Sequence, residues 1–294
     1  MLQVVRRLAA LAAVAVTLCG CDILEVYDIK GMFVPTSDLV GVRFEQSVAH
    51  TAHKSVATIE ASEEYLFYVC TDPHIDGSHR NMTTFNDALR TDAGASFGIV
   101  LGDLIDRVGM RPLYMESVAY DAERHTYNHP IFNVLGNHDL FYDGWAEHFK
   151  LVGPSVYWWE VRFDGGSDLF IVLDSATGTL GAKQTKWLRE FLATNRAKYR
   201  HCIISKHTNI FNTDNTQSTS GNMPFEESFA LLKLFGKYDV TLVLQGHDHY
   251  REDLTYDGVR YTIVGTIKDA SPDPEYLKVR VTPSGVEFEW EKEL

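Results

Sequence analysis

Basic residues are in short supply in this chain. Lysine and arginine together number 27 against 40 aspartates and glutamates, a formal net charge of −13. With no basic stripe along the sequence, that balance argues against broad binding to nucleic acid phosphates. An anionic substrate stays open, because bound dications reverse the local field. Cysteine is equally sparse, with 4 in the chain, so no disulfide framework is implied. Cys70 and Cys202 each fall inside an apolar strand-like run and read as buried core thiols rather than a bridged pair. The apolar run Leu8 to Leu18 is too short to span a bilayer comfortably, and no repeat of the solenoid kind is visible.

What is present suits one large α/β domain or two small ones: 294 residues, 45% of them hydrophobic. Residues 1–20 form a segment of their own, in which Arg6 and Arg7 precede the short apolar run in the manner of an export signal. Its end, Leu18-Cys19-Gly20-Cys21, resembles the lipobox of bacterial lipoproteins, which makes Cys21 the lipidated residue of an exported, membrane-anchored protein on a periplasmic face or cell surface. Residues 21–60 carry no chemical motif, and their runs 28–34 and 40–48 read as edge strands or a tether. The main domain is expected over 61–294.

Within that domain, five apolar strand-like runs are each followed almost at once by residues that bind metals. Tyr65 to Cys70 precedes Asp72 and His74, Phe97 to Leu101 precedes Asp103, and Ile131 to Leu135 precedes Asn137 and His138. Cys202 to Ser205 precedes His207, and Val240 to Leu244 precedes His247 and His249. Open α/β sheets collect ligand sites at the carboxyl ends of their strands, so these residues are placed to converge. Carboxylates, an amide and imidazoles together suit divalent metals. Helices are expected over 112–124, 183–194 and 225–235, the last with Phe225, Phe229, Leu232 and Phe235 as core contacts. Gly165-Gly166 marks a hairpin, and short strands follow near 261–264, 276–281 and 286–290. Two mixed sheets with helices outside fit this order better than a single parallel sheet.

The blocks Asp72-Pro73-His74, Gly102-Asp103-Leu104-Ile105-Asp106, Gly136-Asn137-His138-Asp139, His207 and Gly246-His247-Asp248-His249 stand in the order of the calcineurin-like metallophosphoesterases, which this chain resembles over roughly 65–250. The resemblance implies an α/β/β/α fold, two mixed sheets packed as a sandwich between helices. It implies two divalent cations, manganese, zinc or iron, with Asp103 bridging them. Asp72, His74 and His249 would complete one site, and Asn137, His207 and His247 the other. A hydroxide between the cations would attack phosphorus in line. His138 matches the family's non-ligand histidine that assists the leaving group, and Asp139 is the expected partner of its ring. Asp106 reads equally well as a loop anchor or a metal contact, and Asp174 and Ser175 read as a structural turn.

Two departures stand out. Lys206 precedes His207 where many relatives carry a histidine or an apolar residue, and no tyrosine accompanies the Gly102–Asp106 block, so the coloured ferric centre of purple acid phosphatases is not expected. The implied activity is hydrolysis of small phosphate esters. Diesters are preferred over monoesters because Asp174-Ser175 through Gly181 to Gln184 and Trp187-Leu188 resembles phosphodiesterase-like branches. A monoesterase and a non-catalytic surface binding lipoprotein are the alternatives. The polar stretch 212–222 reads as either a substrate-contacting loop or a solvated one.

Overall fold

Strand-forming runs rich in β-branched and aromatic residues supply most of the core. In a computed structural model, the structure describes residues 36–107, 109–118, 129–211, 223–292 and 294. The strands are β1 (Thr58–Glu60), β2 (Tyr65–Cys70), β3 (Ala95–Val100), β4 (Ile131–Asn133), β5 (Tyr157–Phe163) and β6 (Gly166–Val172). They continue as β7 (Cys202–Ser205), β8 (Leu242–Gln245), β9 (Glu252–Tyr256), β10 (Val259–Ile263), β11 (Tyr276–Thr282) and β12 (Gly285–Glu291). Helices are α1 (Thr36–His50), α2 (Arg80–Thr91), α3 (Arg111–Ser117), α4 (Trp145–Leu151), α5 (Gly181–Asn195) and α6 (Phe225–Lys237).

Among the described residues the strands form a seven-stranded sheet, β1-β5-β6-β7-β8-β10-β9, and a five-stranded sheet, β12-β11-β2-β3-β4. β2, β3 and β4 run parallel in one sheet, and β6, β7 and β8 run parallel in the other. The inner faces pack together through Phe67, Phe97 and Phe132 from one side and Trp159, Phe170 and Leu244 from the other. The outer face of the larger sheet is covered by α5 and α6, and that of the smaller sheet by α2 and α3. Each sheet is therefore buried on both faces by its partner and a helical layer, the four-layer order expected from the sequence. The Gly165-Gly166 turn joins β5 to β6 as an antiparallel hairpin. Cys70 and Cys202 are buried free thiols.

Two expectations need correction. Residues 40–48 are helical, not an edge strand: they lie within α1, which packs on α5 and seats Phe44 and Val48 against Val156 and Trp187. The run Val40-x-Val42-x-Phe44 alternates like a strand, but the apolar positions 40, 44 and 48 also lie on one helical face, and that face is the buried one. Residues 28–34 lie outside the described residues, as do 1–20, Cys21 and 212–222. On α6, Phe225 and Phe229 are 63% and 59% exposed, while Leu231, Leu232 and Phe235 are buried. This helix is apolar on more than one side, so two stripes compete and the one containing Leu231 wins the core. The helix expected over 112–124 is described as Arg111–Ser117, its remainder falling in 119–128, outside the described residues.

Candidate metal centre

All five strand-to-ligand junctions open on the same rim. Sheet parallelism places the carboxyl ends of β2, β3 and β4 beside one another, and likewise those of β7 and β8. The two sheets are stitched together there: His247 N–H donates to the Asp72 carboxylate at 2.9 Å, and His207 Nδ1 lies 2.7 Å from the Leu101 carbonyl. Five of the converging residues adopt left-handed backbone: Asp72 (φ 51°), His74 (φ 44°), Asp103 (φ 51°), His247 (φ 75°) and His249 (φ 58°). Such conformations cost a non-glycine residue about 1–3 kcal/mol each and persist where the surrounding structure over-determines them. Here they turn each side chain sharply off its strand into the rim. Gly136 makes the crowding possible, because a Cβ there would lie 2.1 Å from the Asp103 backbone nitrogen.

The ligand atoms meet closely. His74 Nε2 stands 3.1 Å from His249 Nε2, and His249 Nε2 3.2 Å from an Asp72 oxygen. On the other side, His207 Nε2 stands 3.1 Å from both His247 Nδ1 and Asn137 Oδ1. Asp103 Oδ2 lies between the two groups, 3.4 Å from His207 Nε2 and 3.7 Å from His74 Nε2. Asp72–His74–His249, His74–Asp103–His138 and Asp103–His207–His247 each bring their ligand atoms within 4.8 Å of one another. Two pairs of imidazole nitrogens facing each other over 3.1 Å, with carboxylates alongside, make a donor set that fits divalent cations. Asp72, Asp103, His207 and His247 are buried, whereas the side chains of His249 and His138 are 37% and 28% exposed, so the rim opens to solvent on their side.

The sequence matches the family model for the calcineurin-like phosphoesterase domain over residues 65–251. The chain belongs to the calcineurin-like phosphoesterase family. No curated protein sequence matches it. Similar solved structures include GAP50, described as the anchor in the inner membrane complex of Plasmodium, at 15% identity, covering 78% of this chain and 84% of that one with a TM-score of 0.62. Purple acid phosphatase PPD1 from yellow lupin seeds gives 17% identity over 79% of this chain and 52% of its own, with a TM-score of 0.59. A dimetal phosphatase from Danio rerio gives 12% identity over 78% and 96%, with a TM-score of 0.58. At these identities the likeness shows the shared fold.

In this calcineurin-like phosphoesterase the imidazoles are oriented from behind. The Leu101 carbonyl accepts from His207 Nδ1, which leaves Nε2 as the lone pair facing Asn137 and Asp103. Asp106 does the same for His74, with an oxygen 3.1 Å from Nδ1. The same Asp106 oxygen lies 3.5 Å from His138 Nδ1. Asp106 is therefore hydrogen-bonded to the His74 ring and a close neighbour of the His138 ring, a role its sequence position alone left undecided. Asp139 differs from expectation. Its two oxygens accept from Leu104 N–H at 3.1 Å and Gly136 N–H at 2.9 Å, and its own carbonyl accepts from buried Arg111. It ties the Gly136–His138 turn to the Leu104 loop, and the His138 ring is left to Asp106. Asp106→Asn should weaken metal binding about 10–100-fold, as removal of such supporting carboxylates generally does, read by metal titration of the variant.

Burial pushes both acids of the centre up, but the imidazoles outweigh it: His207, His249 and His74 hold Asp72 well below its usual range, and His207 and His138 lower Asp103. Burial lowers the histidines, and the carboxylates reverse this, taking His74 to about 10 and His207 to about 9. Both rings thus hold a proton at neutral pH that a cation has to displace. Apparent metal affinity should rise with pH up to about 9–10, about tenfold per unit for each proton displaced, with matching proton release in calorimetry. A flat affinity between pH 6 and 9 would contradict this.

Several neighbours are structural. Asp248 turns from the centre to accept from Asn209 at 2.9 Å. Ser175 binds the Thr208 backbone, steadying the turn after His207. Lys206 is fully buried, its ammonium held by the Thr208 carbonyl and 3.4 Å from Gln245 Oε1, and burial lowers its pKa to about 7. Its departure from the family pattern is thereby accommodated beneath the site, not in it.

Proposed function

We propose that this protein is a dinuclear-metal-dependent hydrolase of phosphate esters, with diesters preferred over monoesters. The observation that carries this reading is the set of five left-handed residues whose donor atoms converge on one rim. Left-handed non-glycine residues cluster at functional sites, and these five do so around one set of donor atoms. A pair of divalent cations would supply Lewis-acid polarisation of the phosphoryl oxygens and a water of lowered pKa. Asp72, His74 and His249 would hold one and Asn137, His207 and His247 the other, with Asp103 between them. The chain's own residues do the rest. His74 and His207 are kept in the tautomer that presents Nε2, by Asp106 and the Leu101 carbonyl. His138, exposed at the rim, is placed to give its proton to the leaving alkoxide. Burial lowers its pKa below the usual imidazole value, with Asp103 working against that, so the proton-donating form grows as pH falls.

The reading extends to location. The segment Leu18-Cys19-Gly20-Cys21 after a basic and apolar start supports export and lipidation at Cys21. Among the described residues no helix is long and apolar enough to cross a membrane. Mass spectrometry of the membrane fraction should find a diacylglyceryl group on Cys21; an unmodified Cys21 in that fraction would remove the anchor from the account.

Protein purified without chelator, assayed on bis-p-nitrophenyl phosphate and p-nitrophenyl phosphate with manganese, zinc or iron, tests the activity. Diester turnover exceeding monoester turnover is expected, and the reverse order makes it a monoesterase. Turnover of neither substrate at full metal loading would favour a binding role, the reading that likeness to the anchor protein GAP50 supports.

A further inference from the structure

A cleft of about 580 Å³ runs from the metal centre along the His249 side. Its wall carries three cations, Arg251, Lys268 and Lys292, in a chain whose net charge is −13. Asp273 and Glu275 line it as well, so the wall carries three positive groups against two negative ones, and it adjoins the exposed edge of the centre, where His249 and His138 face solvent.

The three cations are not equivalent. Arg251 is 3.4 Å from Glu275, and Lys292 is 2.7 Å from Asp273. Lys268 has Asp106 as its acidic neighbour, at 3.5 Å, and that same oxygen already serves His74 at 3.1 Å and His138 at 3.5 Å. Arg251 and Lys292 also share a carboxylate, Glu275 at 3.4 and 4.0 Å, so what sets Lys268 apart is its place beside the centre. The ammonium also stands one carboxylate away from His138, at the edge where a substrate's leaving group would emerge.

The backbone around Lys268 is fixed on both sides. Thr266 Oγ1 donates to the Asp72 carbonyl at 2.7 Å, and Ile267 N–H donates to the Thr71 carbonyl at 3.0 Å. Lys268 N–H donates to Thr266 Oγ1 at 3.0 Å. On the far side, the Asp269 carboxylate accepts from Asn81 N–H at 2.8 Å and Arg80 N–H at 3.0 Å, capping α2. A segment so tied to a metal-binding strand end presents its ammonium in a set place. Pre-organised charge of this kind binds anions without paying to order a loop.

We propose that Lys268, with Arg251 behind it, receives a second anionic group of the substrate, a phosphate or carboxylate set apart from the ester that is cleaved. The inference rests on the phosphate-ester reading of the metal centre and narrows it to esters bearing two anionic groups. Lys268 is a specificity-determining residue in this account, and the cleft of about 580 Å³ has room for the body that joins the two groups.

The test compares p-nitrophenyl thymidine 5′-phosphate with the same ester carrying a 3′-phosphate, on wild type, Lys268→Gln and Lys268→Arg, each metal-loaded. Wild type should favour the 3′-phosphorylated ester in kcat/KM, mainly through KM. Lys268→Gln should shrink that preference about tenfold, the scale of one partly exposed charge-assisted contact, and Lys268→Arg should retain most of it. Because both substrates are measured on one preparation, altered metal content cancels from the ratio. No preference in wild type, or an undiminished one in Lys268→Gln, overturns the proposal. If wild type hydrolyses neither ester, the hydrolase reading fails and calorimetry replaces turnover. Thymidine 3′,5′-bisphosphate should then bind more tightly than thymidine 5′-monophosphate, with the advantage lost in Lys268→Gln; equal affinities overturn the cleft assignment.

Discussion

His138→Ala should retain both metals and lose about 10²–10⁴ of its turnover, the usual contribution of a positioned general acid. The reasoning is geometric. His138 Nε2 is 3.9 Å from Asp103, while its Nδ1 is 3.5 Å from Asp106 and has no hydrogen-bond partner. The ring thus stands over the centre without being buried in it, and its backbone N–H, which donates to Asp103 at 2.8 Å, is untouched by the substitution. The loss should be largest with poor leaving groups and smaller with p-nitrophenolate, which needs little protonation. Steady-state assays on an alkyl and an aryl ester check this. Equal activity of variant and wild type on both would remove His138 from the reaction.

Arg43→Met should destabilise the fold by about 3–5 kcal/mol, the cost of stranding a buried charge. Arg43 Nε and Nη2 reach Asp174 at 2.7 and 3.1 Å, and the two side chains are 6% and 0% exposed. Ser155 Oγ donates to the same carboxylate at 2.9 Å, and Ser47 Oγ binds Ser155 N–H at 3.0 Å, so α1 is joined to the larger sheet by a buried polar network. Without the guanidinium, the buried Asp174 carboxyl is left with too few donors around it. Replacing both partners, Arg43→Met with Asp174→Leu, should recover much of the loss, because the desolvated charge then disappears along with its partner. Urea denaturation of the two single variants and the double variant measures the coupling. Additive losses would mean that Arg43 and Asp174 do not act as a pair.

How legible these features were depends on the range of the forces behind them. The candidate ligands Asp72, His74, Asp103, Asn137, His207, His247 and His249 follow strands, and a strand's carboxyl end fixes which rim its next residues face. Their convergence was therefore readable from local pattern. α1 was not, because Val40, Val42 and Phe44 alternate locally and only contacts with distant Val156 and Asp174 choose the helix. Asp139 departs from its expected role, and Asp106 takes up one the sequence left open, for a similar reason. A carboxylate one residue from His138 looks like its partner, yet loop geometry gives Asp139 to the backbone of Leu104 and Gly136. On α6, Leu232 and Phe235 are buried as expected, but Leu231 takes the core in place of Phe225 and Phe229, a choice made by the sheet beneath. Lys268 lies outside every motif, and only the folded chain brings it beside Asp106.

The most direct test of the central claim is a metal titration of chelator-treated protein, followed in parallel by metal content and hydrolysis of bis-p-nitrophenyl phosphate. Wild type should be inactive when stripped and should gain activity only as the second equivalent of manganese or zinc binds. Asp103→Asn, whose carboxylate lies between the two groups of ligands, should hold fewer ions and stay inactive throughout. Full activity at one equivalent, or two bound ions without turnover, would contradict a dinuclear hydrolytic centre.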